Sequence, residues 1–119
     1  MSHIVVVRIQ VRDQAALDAA CKRLGLAPSC EGTHKVYSKT QAGRAVKLNG
    51  WKYPVVFDLS TGKGVYDNFE GSWGSQAELD KLLQMYGTEK SKIELRRKGF
   101  NPVETQRQDG SIVLTCTSA

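Results

Sequence analysis

The feature of this sequence that most constrains its fold is Asn49-Gly50, which lies between two stretches of alternating apolar and polar residues. Asn-Gly favours positive φ at both central positions of a two-residue turn, and the alternation is typical of half-buried strands. Such a turn pairs residue 48 with 51, 47 with 52 and 46 with 53. Apart from Arg44, the predicted inner face is apolar: Val46, Leu48, Trp51, Tyr53, Val55, Phe57 and Leu59. Turn and periodicity therefore predict the same antiparallel hairpin.

The flanking segments predict further strands and a first helix. Residues 4–11 alternate and predict a strand with Val5, Val7, Ile9 and Val11 on one face. Asp13 is a good N-cap for a helix whose buried stripe is Leu17, Ala20, Cys21 and Leu24, and Gly25 is typical of its end. We expect a short strand near 35–38, and another near 65–68 after the turn Gly62-Lys63-Gly64.

The C-terminal third predicts a second helix and a hairpin. Ser75 and Glu78 have the spacing of a capping box, and the stripe of that helix is Leu79, Leu82, Leu83 and Tyr86. Gly87 is a candidate interruption, and Lys98-Gly99 predicts the end of the helix. A turn at Asp109-Gly110 places Val103, Thr105, Ile112, Leu114 and Cys116 on one face of the hairpin.

These elements follow the order β-α-β(3–4)-α-β-β. Hairpin-linked strands with two amphipathic helices predict an α+β fold: an antiparallel sheet with both helices packed on one face. The 119 residues, 40% hydrophobic and 24% charged, suit one globular domain over 1–119 and exclude disordered, fibrous and disulfide-scaffold classes.

Short motifs throughout the chain resemble a known family. They are Met1-Ser2-His3, Arg12-Asp13, Tyr66-Asp67, Trp73-Gly74, Met85-Tyr86, the stretch 98–101 and the stretch 109–112. Together they are similar to the uncharacterised plastid and cyanobacterial "hypothetical chloroplast frame thirty-five" family, a bacterial domain-of-unknown-function family, although residues 28–53 are more basic than that family. The resemblance implies a soluble stromal or cytoplasmic protein of this size and transfers a fold, with no activity, cofactor or catalytic residue.

The lack of a recognisable signal peptide or membrane span and the pattern of cysteines favour a soluble cytoplasmic protein. Arg8 interrupts the first apolar run, so no signal peptide is expected, and no stretch is long enough for a membrane span. The three cysteines form no C-x-x-C pair, which argues against a secreted disulfide framework.

Metal or thiol chemistry has few candidate residues. His3, Cys30 and His34 are the weak candidates for metal ligands, and Cys30 is also a candidate nucleophile with His34 nearby. Cys21 and Cys116 are expected on apolar faces. No catalytic motif or phosphate-binding loop is present, so we predict no cofactor and favour a non-enzymatic protein.

The net charge of +5 is concentrated in the middle of the chain. Residues 35–63 contain six bases and the single acid Asp58, for a formal +5, whereas residues 64–80 contain four acids and no base. The six bases are Lys35, Lys39, Arg44, Lys47, Lys52 and Lys63. The predicted register sets Lys47 opposite Lys52, and an anion would offset that repulsion. The ordinary alternative is that exposed strand lysines protect a sheet edge.

The sequence thus predicts a binding or adaptor domain that docks nucleic acid or an acidic protein surface on this basic hairpin. Arg44 would lie at the sheet margin or pair with Asp58. Trp73, between glycines, is either a partner anchor or a residue that packs the start of the second helix onto the sheet, and we favour packing. The alternatives are a metal- or thiol-dependent protein and a subunit that functions only within a complex. No membrane association and no small-molecule substrate are predicted.

Overall fold

The computed structural model describes residues 5–7 and 9–118, without the side chains of Val5 and Ser118. Its elements in chain order are β1 (Val5–Val7), α1 (Gln14–Arg23), β2 (Cys30–Val36), β3 (Lys39–Val46), β4 (Val55–Asp58), β5 (Lys63–Tyr66), α2 (Gln76–Arg97), β6 (Phe100–Gln106) and β7 (Ile112–Ser118). An antiparallel sheet has the strand order β1-β5-β4-β3-β2, and β6 and β7 form a separate ribbon. The predicted α+β class is confirmed.

Helix α1 forms as its sequence predicts. The Asp13 carboxylate accepts a hydrogen bond of 3.1 Å from the Ala16 amide, which satisfies one of the free donors at the helix start. Leu17 and Cys21 are fully buried, and Gly25 follows the helix with a φ of +71°. Local capping and periodicity were therefore sufficient to predict the position of this helix.

Helix α2 starts and continues differently from the prediction. The Ser75 side chain makes no capping hydrogen bond, so the predicted capping box is wrong; the Ser75 carbonyl instead accepts from Trp51 Nε1 at 3.0 Å. The helix runs unbroken through Gly87 and is followed by Gly99, whose φ is +87°. Tertiary packing of its apolar face compensates for the weak helix propensity of Gly87.

Both helices pack on one face of the five-stranded sheet, as predicted. Leu17 of α1 and Leu79 and Leu82 of α2 share a core with Phe57 and Val55 of β4. Tyr86 joins the two helices, because its hydroxyl accepts from the Arg12 and Asp13 amides at 3.1 and 3.2 Å. Among the described residues, no helix lies on the opposite face of the sheet.

The connection between β3 and β4 is wider than the predicted two-residue turn. The ladder pairs Arg44 with Phe57 and Val46 with Val55, so the predicted pairing of Val46 with Tyr53 is wrong. A turn does form at Asn49-Gly50, where the Trp51 amide donates to the Leu48 carbonyl. Beyond it the strands diverge, because Trp51 enters the core and the Lys52 amide donates to the Trp73 carbonyl at 2.9 Å. The shift of two residues leaves Val46, Val55 and Phe57 on the predicted face.

The β2–β3 hairpin is longer than expected and folds back on itself. Instead of a short strand near 35–38, two long strands meet at a turn over residues 37–38. His34 Nε2 lies 2.8 Å from the Cys30 carbonyl oxygen, although the two Cα atoms would be about 13 Å apart in a straight strand. Gly32 and Gly43, paired in the ladder with φ of +152° and +149°, lie at the bend. As a result Val36 is fully buried against Val56, on the sheet face opposite the helices.

The β6–β7 ribbon forms around the predicted Asp109-Gly110 turn but in another register. Gln106 pairs with Ile112 across a five-residue loop. The register differs by one residue from a two-residue turn, so the predicted shared face is wrong. Val103 and Thr105 lie on one face, whereas Ile112, Leu114 and the exposed Cys116 lie on the other.

An ion-pair cluster ties this ribbon to the helices. Arg23 Nη1 and Nη2 donate to the two Glu104 carboxylate oxygens at 2.6 and 2.7 Å. Lys92 Nζ lies 3.4 Å from Glu104, and Arg23 also contacts Glu89 at 3.3 Å. The cluster joins α1, α2 and β6.

Two further expectations are corrected near the sheet edge. The alternation of residues 4–11 predicts Ile9 on the inner face, but Ile9 follows the end of β1 and is 51% exposed. The strand predicted over 65–68 is β5, which begins at Lys63 and ends at Tyr66.

Candidate binding site

The folded-back hairpin encloses one side of a groove of about 420 Å³ on the helix-free face of the sheet. The groove is lined by Ala27, Pro28, Cys30, His34, Ala45, Lys47, Lys52 and Pro54. The sequence predicts that Lys47 and Lys52 are cross-strand neighbours, and they are not. Both nevertheless line this groove together with Cys30 and His34. Two of the predicted basic residues and the thiol and imidazole candidates, which the sequence singled out separately, therefore line the same groove.

Four aromatic rings form a cluster beside the groove, which we call the aromatic cluster: Tyr37, Tyr53, Phe69 and Trp73. Trp73 is at its centre, with ring centroids 4.7 Å from Tyr37, 5.6 Å from Tyr53 and 4.7 Å from Phe69. The Phe69 and Trp73 rings are stacked, with 24° between their planes. Tyr37 reaches the cluster because the hairpin folds back.

Lys52 connects the groove to the aromatic cluster. Its Nζ lies 4.8 Å from the Trp73 ring centroid and 5.9 Å from that of Tyr53, within the range of cation–π interaction. Its backbone amide is held by the Trp73 carbonyl. The ammonium group is thus positioned at the groove.

The segment that carries Phe69 and Trp73 is a tight loop with unusual backbone geometry. Phe69 and Glu70 have φ of +49° and +54°, a conformation that costs energy for residues with a side chain. The Asp67 carboxylate accepts from the Phe69 amide at 2.9 Å, and Asn68 Nδ2 donates to the Gly74 carbonyl at 3.1 Å. Asp67 and Asn68 are buried, so polar contacts inside the loop hold Phe69 where its side chain is 39% exposed.

Several exposed lysines lie in the segments that carry the groove and the aromatic cluster. Within the described part of the chain, no carboxylate lies within 4 Å of the ammonium groups of Lys35, Lys39, Lys47 or Lys52. By contrast, the bases of α2 that form ion pairs are Lys81, Lys90, Lys92 and Arg97. Lys35 and Lys39 line a more open depression at the hairpin tip, next to Tyr37. Lys47 and Lys52 therefore line the groove, and Lys39, the ladder partner of Val36, lies on the same hairpin face, whereas Lys35 pairs with Thr40 and lies on the opposite face.

The other two predicted bases lie elsewhere. Arg44 does not pair with Asp58; it donates from Nε to Ser29 Oγ at 2.8 Å and from Nη2 to the Ser29 carbonyl at 3.0 Å, and it lies 3.5 Å from Glu31. Lys63 is the ladder partner of Asp58 at the far end of β4. Arg44 is thus a structural residue, and Lys63 is distant in the ladder from the groove.

The thiol and imidazole candidates are close in space but not arranged as a nucleophile and base. The Cys30 carbonyl can only accept, so His34 Nε2 is the donor in their hydrogen bond and does not accept the thiol proton. Cys21 is buried, and burial raises the pKa of its thiol to about 11. His3 lies outside the described residues. Over residues 5–7 and 9–118, no three His, Cys, Asp or Glu side chains converge as a metal site requires.

Trp73 does not pack the start of α2 onto the sheet, which is the role that the sequence favoured. Trp51 takes that role, since its ring lies beneath Gly74 and its Nε1 bonds the Ser75 carbonyl. The sequence predicts Tyr53 on the apolar inner face, but its ring lies outside that core against Tyr37 and Trp73, and neither Tyr37 nor Phe69 is predicted as a site residue. The available signal was that Tyr53 precedes a proline and that Tyr37 and Phe69 lie in turn-rich segments.

Comparisons with protein-family models, curated proteins and solved structures found no match. None of the described helices combines the length and the apolar character needed to cross a membrane.

Proposed function

We propose that this chain is a binding domain that docks an anionic partner at the groove and the aromatic cluster. The observation that carries the proposal is the position of Lys52, whose ammonium lies 4.8 Å above Trp73 while its side chain lines the groove with Lys47. A phosphate or carboxylate in the groove therefore meets two ammonium groups.

The distribution of ion pairs supports this assignment. Acids neutralise several bases of α2, whereas the lysines around the groove have no carboxylate within 4 Å among the described residues. Like charges that line one groove repel each other, and an anionic partner offsets that repulsion. Lys39, which shares the hairpin face of the groove, extends the positive surface to the hairpin tip.

We also propose membership of the "hypothetical chloroplast frame thirty-five" family from the motifs quoted above, and with it a cytoplasmic or, for plastid-type members, stromal location. Family membership and location do not identify the partner, so the experiment below tests the binding surface itself.

The test is fluorescence anisotropy with two labelled anions, a single-stranded oligonucleotide of about 12 nucleotides and a polyglutamate peptide of equal formal charge. The double variant Lys47→Glu/Lys52→Glu is expected to weaken binding of whichever probe binds by about tenfold or more, because it reverses the charge of two side chains in the groove. The matched control is Lys63→Glu/Arg107→Glu, which reverses two exposed charges outside the groove and is expected to bind like the parent chain. The proposal is wrong if neither probe binds at low salt, or if both double variants behave alike.

A further inference from the structure

We infer that the anionic partner is a single-stranded nucleic acid, with bases stacked on the aromatic cluster and phosphates against the surrounding lysines. This inference rests on the proposed function and assigns its ligand class. It follows from the juxtaposition of Phe69 and Trp73 with Lys52 beside the groove on the helix-free face.

The aromatic cluster is not part of the hydrophobic core. Trp51, Phe57 and Tyr66 pack in the core beneath the helices, whereas the rings of the cluster contact one another on the outside. Phe69 remains 39% exposed while its ring stacks on Trp73. A nucleobase is a planar π system that can stack on an exposed aromatic ring, and this mode of contact tolerates any base sequence.

Positive charges lie next to these rings. Lys47 and Lys52 line the groove, and Lys39, which pairs with Val36 and so shares the face of the groove, lies beside Tyr37 at the hairpin tip. Tyr37 packs on Trp73, and Lys52 lies over Trp73, so these lysines are connected through the cluster. A strand whose bases stack on the cluster can therefore place phosphates against them.

This arrangement favours a single strand over the other polyanions. A duplex keeps its bases stacked inside and offers mainly phosphates to this surface, so the rings would contribute little. An acidic protein surface supplies carboxylates to the lysines but no nucleobase to the rings. Only a single strand uses both the charges and the aromatic faces.

The decisive probe is an abasic oligomer that has the length and phosphates of the oligonucleotide but no bases. We expect the oligonucleotide to bind at least about tenfold more tightly than the abasic oligomer and than polyglutamate, because each stacked base adds a contact that the other probes lack. Binding is also expected to quench the fluorescence of Trp73. The variant Trp73→Phe should lose the quenching, because its remaining tryptophan, Trp51, is buried in the core.

A matched pair of variants separates stacking from charge. Phe69→Ala is expected to remove most of the difference between the oligonucleotide and the abasic oligomer, and Phe69→Tyr to retain it. Phe100→Ala is the control, because Phe100 has a similar exposure of 41% but lies in β6. Lys47→Gln/Lys52→Gln should weaken the binding of both probes. It should also reduce the slope of log K against log salt concentration by about 0.7 for each phosphate that a lysine no longer neutralises. Thermal melting establishes that each variant is folded.

The outcomes distinguish this inference from the proposed function. Equal affinity for the oligonucleotide, the abasic oligomer and polyglutamate overturns the single-strand assignment and leaves anion binding in place. Preference for polyglutamate or for duplex DNA overturns it as well. No binding of any probe overturns both.

Discussion

Gly32 and Gly43 face each other in the β2–β3 ladder, and both have a φ close to +150°. This pair lies where the hairpin bends, and the bend brings Tyr37 to Trp73 and His34 to the Cys30 carbonyl. The candidate binding site therefore depends on a backbone conformation that residues with a Cβ rarely adopt.

The two glycines differ in what surrounds them, which gives a matched test. A Cβ at Gly43 would lie 2.5 Å from the Phe57 carbonyl oxygen, whereas at Gly32 the nearest atom, His34 Nε2, would be 3.5 Å away. We expect Gly43→Ala to lower the free energy of unfolding by about 3 kcal/mol and Gly32→Ala by about 1 kcal/mol, since only the former adds a clash to the backbone strain. Urea denaturation measures both, and an equal effect of the two substitutions would show that the bend does not depend on this close approach.

Acid should weaken the attachment of the β6–β7 ribbon. The hydrogen bonds from Arg23 hold the pKa of Glu104 at about 2, below its ordinary value of 4.5. Because the folded state binds this proton more weakly than the unfolded chain, the contribution of Glu104 to stability is complete above about pH 4.5 and is lost as the pH falls towards 2. Glu104→Gln should cost about 1 to 2 kcal/mol at pH 7 and flatten this part of the stability–pH curve. A variant that retains the slope of the parent chain there would assign the acid sensitivity to other carboxylates.

Helix α2 should be stabilised by a single substitution. Gly87 is exposed within the helix, and a Cβ placed there would meet no atom within 4 Å. Gly87→Ala is expected to raise the free energy of unfolding by about 0.5 to 1 kcal/mol, because alanine loses less conformational entropy on folding. Thermal and urea melts check this, with Gly71→Ala as a contrast: Gly71 has equal space but a φ of +96°, so that change should destabilise. A decrease in stability of Gly87→Ala would contradict the packing of α2.

The three cysteines should differ in reactivity. Cys30 and Cys116 are exposed, whereas Cys21 is buried with a thiol pKa raised to about 11 by burial. A thiol-specific reagent at pH 8 should therefore modify two thiols in the native protein and the third only after denaturation. Cys30→Ser and Cys116→Ser should each remove one fast-reacting thiol. A fast-reacting thiol that persists in the combined variant Cys30→Ser/Cys116→Ser would place Cys21 outside the core.

The two hairpin predictions show how far turn signals determine a register. At Asn49-Gly50 the observed pairing is shifted by two residues, and because side chains alternate with period two, Val46, Val55 and Phe57 keep their predicted face. At Asp109-Gly110 the shift is one residue, which exchanges the faces of β6 relative to β7. A small error in turn length is thus harmless in one case and decisive in the other.

The sequence alone determined the elements whose signals are local, although their stability depends on packing. Asp13, the stripe of α1 and the Asn49-Gly50 turn act over a few residues, so their effect can be read from spacing. The α+β class follows from the same periodicities. The concentration of positive charge in residues 35–63 is likewise a property of the chain itself.

Tertiary structure decided the site. The contact of Tyr37 with Trp73 joins residues 36 positions apart, and it exists because paired glycines let the hairpin fold back across the sheet. Burial of Trp51, and with it the position of Lys52 above Trp73, depends on the space that Gly74 leaves beneath the loop. Such long-range contacts arise from packing after the local elements have formed, and no pattern of neighbouring residues encodes them.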